Sequence, residues 1–210
     1  MHATISEILQ AVVVHLGYTV VSVLIGFVFG LAFGILLSRF PRYSRYILPV
    51  LSVLNTIPGI VFIGVLFLYL GMRPATVVIA LSVYAMFPVL KNTVSGLSGV
   101  DGQYKEAARG CGMSQVQRLY LVELPLAMPT ILGGLRMSTV YTVSWAVLAA
   151  MIGQGGLGEF IYQGVSSNNN VLILQGAIPA ALLAILLGSL VDLLQRHAIP
   201  RGLGKGGNKT

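Results

Sequence analysis

Five long runs of this sequence contain no Asp, Glu, Lys or Arg. They cover residues 16–38, 46–72, 74–90, 137–158 and 160–191. About 20 apolar residues in a helix are enough to cross the hydrocarbon core of a bilayer. Charged residues make up 9% of the chain, whereas soluble domains contain roughly 25%. The sequence therefore predicts an all-α membrane protein with five transmembrane helices.

The span boundaries follow from the polar residues around these runs. The stretch "SSNNN" at 166–170 is too polar for lipid, so we expect the fifth helix to begin near Val171. No Lys or Arg precedes the first run, unlike in a cleaved signal peptide, so we expect that segment to remain as a membrane helix. A single transmembrane domain is predicted over 1–210, with spans at about 16–38, 47–71, 74–90, 130–152 and 171–191.

The basic residues indicate the orientation of the chain. Apart from Arg73, they lie after the first charge-free run, between the third and fourth runs, or after the fifth run. By the positive-inside rule these three segments are cytoplasmic and the N-terminus is external. The same distribution accounts for a net charge of +7 without a nucleic-acid partner. The residues are Arg39, Arg42, Arg45, Lys91, Lys105, Arg109, Arg118, Arg136, Arg196, Arg201, Lys205 and Lys209.

Small residues and prolines inside the spans bear on helix packing. Gly26, Gly30 and Gly34 lie four residues apart, so one face of span 1 can approach another helix closely. That helix belongs either to the same bundle or to another subunit. Three prolines lie within spans, where they can kink a helix: Pro58, Pro88 and Pro179.

Several kinds of site are disfavoured by the residues present. No Asp, Glu, Lys or Arg lies clearly at mid-membrane depth, as ion-coupled carriers usually require. The single cysteine, Cys111, excludes an internal disulfide and gives no indication of a metal site. The motif G-x-x-x-x-G-K-[ST] does not occur, so nothing in this chain is expected to hold ATP phosphates.

The glycine cluster "GQGGLG" at 153–158 satisfies the spacing G-x-G-x-x-G of dinucleotide-binding loops. Its context does not fit, because a membrane span precedes it in place of a strand. No acidic residue follows Glu159 at the distance where the ribose ligand is expected. We therefore expect a structural turn at the outer end of span 4, which glycine's conformational freedom permits.

The longest polar stretch lies between spans 3 and 4. Asp101 is a suitable helix N-cap, and we expect a short helix through Arg109, interrupted by Gly110 and Gly112. Ser114 and Gln117 then form a capping box, S-x-x-Q, that opens a second helix through Leu124, with a break at Pro125. Such a loop either docks a partner or lies on the bilayer surface. The apolar residues that favour the second alternative are Leu119, Leu121 and Val122.

"EAARGCG", nine residues and "VELP" resemble the EAA loop of ABC importer permeases, E-A-A-x3-G-x9-I-x-L-P, with Val122 in place of the usual Ile. Four further segments resemble the osmoprotectant branch, for glycine betaine, carnitine and choline: "LNTIPGI", "FPVLKNTVSGLSGVD", "LVELPLAMPTILGGLRMST" and "IGQGGLGEFI". The resemblance runs from about Leu37 to Gly202. Methionine permeases of the same superfamily share the length, the loop and a comparable glycine cluster.

The resemblance implies a type I ABC importer bundle, methionine-permease-like, with a cytoplasmic loop at about 98–125, hereafter the coupling segment. It implies a bacterial cytoplasmic-membrane protein that works with two ATP-binding subunits, a second permease subunit and an extracytoplasmic binding protein. ATP and Mg²⁺ would be bound by the partner, and this chain would have no catalytic or metal-binding residue. The residues expected to couple to the ATPase are Glu106, Ala107, Ala108, Gly112, Leu124 and Pro125.

The residues themselves suggest where a quaternary amine could bind. Aromatic faces attract such cations, which makes Tyr84, Tyr141 and Trp145 candidates for the substrate pathway. The alternative is that these rings only pack or lie near an interface. Three further functions stay open at this stage: an ABC permease for methionine or another amino acid, an ATP-independent channel or facilitator, and a non-transporting scaffold.

Overall fold

The computed structural model describes residues 3–198, apart from the side chains of Leu54 and Ala198. Over this range the chain is helical and contains no strand. A π-helical turn, Leu119–Glu123, joins α6 to α7, and a 3-10 segment, Val147–Ile152, extends α7. The helices are α1 Ile5–Ser38, α2 Pro41–Leu54, α3 Gly59–Leu70, α4 Pro74–Ser98, α5 Gly102–Gly110, α6 Gln115–Arg118, α7 Leu124–Ala146, α8 Leu157–Ser166 and α9 Asn170–Ala198.

Within residues 3–198, four helical stretches are long and apolar enough to cross a membrane: Ile5–Ser38, Pro74–Ser98, Gln115–Ile152 and Asn170–His197. They confirm the prediction of an all-α, multi-pass membrane protein. The first helix begins earlier than predicted, because Thr4 and Glu7 form a capping box at its start. The basic residues predicted beyond the fifth span, Arg201, Lys205 and Lys209, lie outside the described range.

The segment predicted as the second span, 47–71, is not one continuous helix. Helix α2 ends at Leu54, and α3 begins at Gly59 with Pro58 as its N-cap. The expectation that Pro58 kinks a helix was therefore wrong. Proline disfavours a helical conformation in the residue before it, so Pro58 marks a helix boundary. Helix α3 has 12 residues and rises about 18 Å, short of the roughly 30 Å hydrocarbon core. The second apolar segment thus consists of two helical pieces.

Helix α4 forms the centre of the bundle, with α1 and α7 packed against it. The glycine stripe of α1 lies directly on α4. A Cβ atom on Gly26 or Gly34 would come within 2.6 Å of the Cβ of Ala85 or Thr93, respectively, and one on Gly30 within 2.7 Å of the Met86 carbonyl oxygen. The stripe therefore serves close packing inside one bundle, and α4 already occupies the face that a second subunit would need.

Much of the outer surface is apolar. Val13 and Phe29 on α1, Leu68 on α3, and Ile185 and Leu186 on α9 are each about half exposed or more. Soluble monomers rarely expose contiguous apolar surface of this extent. Prolines inside helices, such as Pro88 in α4 and Pro179 in α9, do not end them. The fold is that of a bundle whose outer faces meet lipid.

Candidate functional site

The first helix of the coupling segment, α5, has a defined start and a defined end. The Asp101 side chain accepts a hydrogen bond from the backbone N–H of Gln103 at 3.0 Å, confirming the predicted N-cap. At the other end, Met113 N–H donates to the Ala108 carbonyl at 3.1 Å, and Gly112 N–H donates to the Arg109 carbonyl at 2.9 Å. This pair of bonds is a Schellman motif.

The Schellman motif explains why a glycine follows E-A-A-x3. Gly112 has φ +78°, a left-handed conformation that costs other residues free energy and that glycine adopts freely. Gly110, in contrast, lies within the last turn of α5 and does not interrupt it. The expected interruption at Gly110 was therefore wrong, and the chain turns at Gly112.

The second predicted helix starts as expected and then departs from expectation. Ser114 N–H donates to Gln117 Oε1 at 2.9 Å, and Gln117 N–H donates to Ser114 Oγ at 3.3 Å, which confirms the capping box. The predicted break at Pro125 is wrong, because the chain stays helical from Gln115 to Ile152. The π-helical turn Leu119–Glu123 shifts the hydrogen-bond pattern just before Pro125. Pro125, which has no N–H to donate, lies where this turn passes into α7.

The motif residues of the coupling segment face two ways. Glu106 and Ala107 are exposed, whereas Ala108 is 5% exposed. Leu124 and Pro125 are half-buried where α7 begins. One side of α5 is thus open to a partner, and the other side holds the segment on the bundle.

Two kinds of contact fix the coupling segment to the rest of the bundle. The Lys105 ammonium donates to the Leu97 carbonyl of α4 at 3.2 Å. Leu119, one of the apolar residues that favoured a helix lying on the bilayer, instead packs with Leu124 against a buried cluster that contains Leu97 and Ile131. The coupling segment therefore packs against the bundle core.

An ion-pair triad that sequence reasoning missed lies at the end of this segment. Glu123 is 3% exposed; its Oε1 is 2.7 Å from Arg118 Nε and its Oε2 is 3.0 Å from Arg39 Nη1. In an α-helix, residues five apart point in different directions, so spacing alone gave no reason to pair Arg118 with Glu123. Arg39 belongs to the C-cap of α1, far away in sequence.

Two of the three aromatic candidates for the substrate pathway lie together. The rings of Tyr84 and Trp145 stack with centroids 4.6 Å apart and planes 15° apart, and Phe62 meets Tyr84 edge-on at 5.4 Å. The Tyr84 hydroxyl donates to the Ile57 carbonyl at 2.6 Å. The Trp145 ring lies directly against Gly59, at the start of α3. This aromatic stack, Phe62, Tyr84 and Trp145, joins α3, α4 and α7.

The third candidate, Tyr141, lies one helical turn before Trp145 on α7 and is 51% exposed. Three serine and threonine hydroxyl groups lie within six residues of Trp145 on α7, and in the structure they bond to the helix itself. Each donates to the backbone carbonyl four residues earlier: Thr139 to Leu135, Thr142 to Ser138, and Ser144 to Val140. The surroundings of the Trp145 ring are therefore mainly aromatic and apolar.

Comparison with known proteins decides the family. Residues 22–202 match the family described as binding-protein-dependent transport system inner membrane component. The chain belongs to this family. It is a permease, the membrane-spanning subunit of an ABC importer.

Curated relatives cover most of the permease. A carnitine transport permease protein, OpuCB of Listeria monocytogenes, is 37% identical over 90% of this chain and 87% of its own length. A choline transport system permease protein, OpuBB of Bacillus subtilis, is 32% identical over 94% of this chain and 91% of its own length. An osmoprotectant import permease protein, OsmY of Salmonella typhimurium, is 34% identical over 89% of this chain and 80% of its own length.

A solved structure confirms the predicted architecture. An inward-facing form of the MetNI methionine ABC transporter matches with a TM-score of 0.81 over 92% of this chain and 97% of the other. The identity is 22%, so this likeness concerns the fold, which is that of a type I ABC permease.

The glycine cluster of the permease forms the predicted turn. Gly153, Gly155 and Gly156 have φ +69°, +72° and +86°, and Gly158 lies directly against the Val147 carbonyl. These positions require residues without a side chain, either for the left-handed backbone or for the close approach. The turn connects the 3-10 extension of α7 to α8.

His15, which sequence reasoning did not single out, supports this turn from α1. The residue is fully buried, and its Nε2 donates to the Val143 carbonyl at 2.9 Å. A Cβ atom on Gly156 would lie 3.5 Å from His15 Nδ1. A histidine between Val14 and Leu16 in α1 was the only available signal, and it did not indicate which element the ring would contact.

Proposed function

We propose that this chain moves a quaternary-ammonium osmoprotectant, such as glycine betaine, carnitine or choline, into the cell as part of an ATP-driven importer. The relatives named for carnitine and choline transport support this cargo class. The observation that carries the coupling to ATP is the coupling segment, which exposes Glu106 and Ala107 while its other side is held on the bundle.

In this proposal a separate ATPase binds the exposed face of α5. Glu106 supplies a charge for the contact, and Ala107 lets the partner backbone approach closely. ATP binding closes two ATP-binding subunits, which move the coupling segments and open the pathway outward. Hydrolysis returns the assembly to its inward-facing arrangement. ATP thus favours one of two conformations, and the permease needs rigid coupling more than reactive side chains.

The remaining partners follow from the same assembly. A second permease subunit, either a copy of this chain or a paralogue, completes the pathway, and an external binding protein delivers the cargo. ATP and Mg²⁺ are held by the ATPase. The N-terminus is external and the C-terminus cytoplasmic, in accordance with the basic residues that follow span 1, lie in and beside the coupling segment, and follow span 5. Lipid surrounds the apolar outer faces.

The aromatic stack and Tyr141 are the groups that we propose contact the cargo. A cation binds to a ring face within about 6 Å of its centroid. The faces of Tyr84 and Trp145 that meet in the stack are closed to a cation, because the centroids are 4.6 Å apart. Cargo contact therefore uses the outer faces of the stack, or the rings after they separate, together with the exposed ring of Tyr141.

The test is reconstitution of this permease with its ATPase and binding protein in liposomes. Uptake of labelled glycine betaine, carnitine, choline and methionine is measured with ATP supplied to the ATPase side. Saturable uptake of at least one quaternary amine is the expected result. Uptake of methionine alone would support an importer and contradict the proposed cargo class. Uptake of none of the four solutes by an assembled complex would reject the proposed cargo class as well.

A further inference from the structure

Glu123 uses both carboxylate oxygens to join two segments that are far apart in sequence. Its Oε1 meets Arg118 Nε at 2.7 Å, within the coupling segment, and its Oε2 meets Arg39 Nη1 at 3.0 Å, at the end of α1. Arg39 Nη2 is buried and has no hydrogen-bond partner among residues 3–198, so Arg39 does not bind the carboxylate through both Nη groups. The link to α1 thus depends on one nitrogen–oxygen contact, Arg39 Nη1 to Glu123 Oε2.

The burial of Glu123 makes its carboxylate dependent on the two arginines. The side chains of Glu123 and Arg118 are 3% and 10% exposed, whereas that of Arg39 is 32% exposed. A buried carboxylate is tolerated only when it is paired and hydrogen-bonded. Glu123 therefore stays between its two arginines, and any movement of one arginine is opposed by the other.

The π-helical turn explains why a link to α1 matters. Leu119–Glu123 separates the short helix α6 from α7, and its last hydrogen bond runs from Leu124 N–H to the Leu119 carbonyl. Such turns interrupt the regular helix and often occur at functional sites. Arg118 precedes the turn and Glu123 ends it, so their ion pair clamps the turn. Without that clamp the turn could absorb a displacement of α5 and α6 before it reached α7.

Helix α1 is a suitable element to receive the displacement. Its glycine stripe lies on α4 so closely that a Cβ at Gly34 would overlap the Thr93 side chain. Protein interiors packed at this density transmit strain. A pull on Arg39 therefore acts on α1 and α4 together, in addition to the direct connection through α7.

We propose that the triad Arg39–Glu123–Arg118 transmits movement of the coupling segment to α1, with Glu123 as the positioning residue that clamps the π-helical turn and holds it to Arg39. This inference rests on the proposed ATP-driven transport. It assigns no cargo contact to the triad. The predicted consequence of breaking it is ATP hydrolysis that is no longer matched by uptake.

The test compares three variants in the reconstituted complex. Glu123→Gln keeps the shape of the side chain but presents a donor to one of the arginines, and Arg39→Gln breaks only the link to α1. Asp192→Asn is the control, since it removes the Arg136–Asp192 pair, also 2.7 Å long, whose side chains are 50% and 40% exposed. Co-purification with the ATPase, ATP hydrolysis and uptake are measured for each.

The amount of cargo taken up per ATP hydrolysed should fall about fivefold or more in Glu123→Gln and Arg39→Gln, a factor at the lower end of typical coupling between two sites. It should stay at the wild-type value in Asp192→Asn. Arg39→Lys should recover part of the ratio, because one donor nitrogen is enough to meet Glu123. If Glu123→Gln does not assemble, Arg39→Gln decides, since it leaves Glu123 paired with Arg118. An unchanged ratio in an assembled Arg39→Gln complex would overturn the proposal.

A distance measurement separates this inference from the proposed function. Cys111 is the only cysteine and is exposed beside α5, so it can carry one spin label. Leu36→Cys near the end of α1 carries the other. The proposal predicts a narrow distance distribution in the otherwise unchanged permease and loss of that narrow distribution with Arg39→Gln. Equal distributions would overturn the triad's role even if transport were confirmed; absent ATP-driven uptake in the wild type would reject the proposed function alone.

Discussion

Trp145 and Tyr84 stack face to face, with ring centroids 4.6 Å apart, and the Trp145 ring also lies against Gly59. One indole thereby holds the start of α3 to α4 and α7. Offset stacked rings contribute about 0.5–1.5 kcal/mol beyond the area they bury. Since α3 follows the break in the second apolar segment, this contact and the burial of Ile63 in the core together fix the position of α3 on the bundle.

Replacement of Gly59 by alanine should displace Trp145. The added Cβ would overlap Cζ3 and Cε3 of the indole, and overpacking of this kind costs about 1–3 kcal/mol. The chain has one tryptophan, so a shift in its fluorescence emission reports on this site alone, and a lower melting temperature reports the cost. Gly64→Ala is the matched control, because it lies on the same helix and its Cβ would meet no atom of the described residues within 4 Å. Identical behaviour of the two variants would contradict the packing described.

Replacement of Trp145 by alanine should reduce uptake while the permease still co-purifies with its ATPase. The aromatic stack joins α3, α4 and α7 and contains no residue of α5. Binding of the ATPase to the exposed face of α5 should therefore be preserved. Trp145→Phe retains a ring face and should keep more uptake than Trp145→Ala. Both variants are compared at a temperature where circular dichroism shows them folded. Undiminished uptake in folded Trp145→Ala would assign this ring to packing alone.

Gly112→Ala and Gly110→Ala should have opposite effects although they lie two residues apart. Gly112 has φ +78°, and forcing an L-residue into that region costs roughly 1–2 kcal/mol. Gly110 is helical, and within residues 3–198 its Cβ would meet nothing closer than 4 Å, so alanine there should stabilise α5 by up to about 1 kcal/mol. Hydrogen exchange of the α5 amides measures both. Faster exchange in Gly110→Ala than in Gly112→Ala would contradict the Schellman assignment.

Glu106→Lys combined with Ala107→Trp should weaken binding of the ATPase and leave membrane insertion unaffected. Both positions are exposed, so neither change disturbs the bundle core, but together they reverse a charge and add bulk on the proposed docking face. Co-purification with the ATPase and uptake should both fall. The control is Glu159→Lys, which reverses another exposed glutamate, at the start of α8. Normal ATPase binding and uptake in the double variant would reject the docking face.

Local features of the fold could be predicted from the sequence because they depend on few neighbouring residues. Asp101 and Ser114 were placed as caps from their own side chains and the residues two or three positions later. The turn at 153–158 followed from glycine's conformational freedom. The close approach of α1 to another helix followed from its glycine stripe, although only the structure identifies α4 as that helix.

Other features depend on contacts between distant segments and gave no local signal. Pro58 and Pro125 look alike in sequence, yet one separates two helices and the other lies within a continuous stretch, because a π-helical turn precedes Pro125. The Arg39–Glu123 contact joins α1 to the coupling segment. The sequence of neither segment indicates that the two meet. His15 likewise gains its role from a carbonyl on α7.

The central claim is that this permease moves its cargo only when an ATPase drives the coupling segment. The most direct measurement is uptake of a labelled quaternary amine into proteoliposomes that contain the permease and binding protein, with and without the ATPase. The account predicts uptake that requires both the ATPase and ATP. Comparable flux through the permease without the ATPase would contradict it and identify the chain as a channel or facilitator.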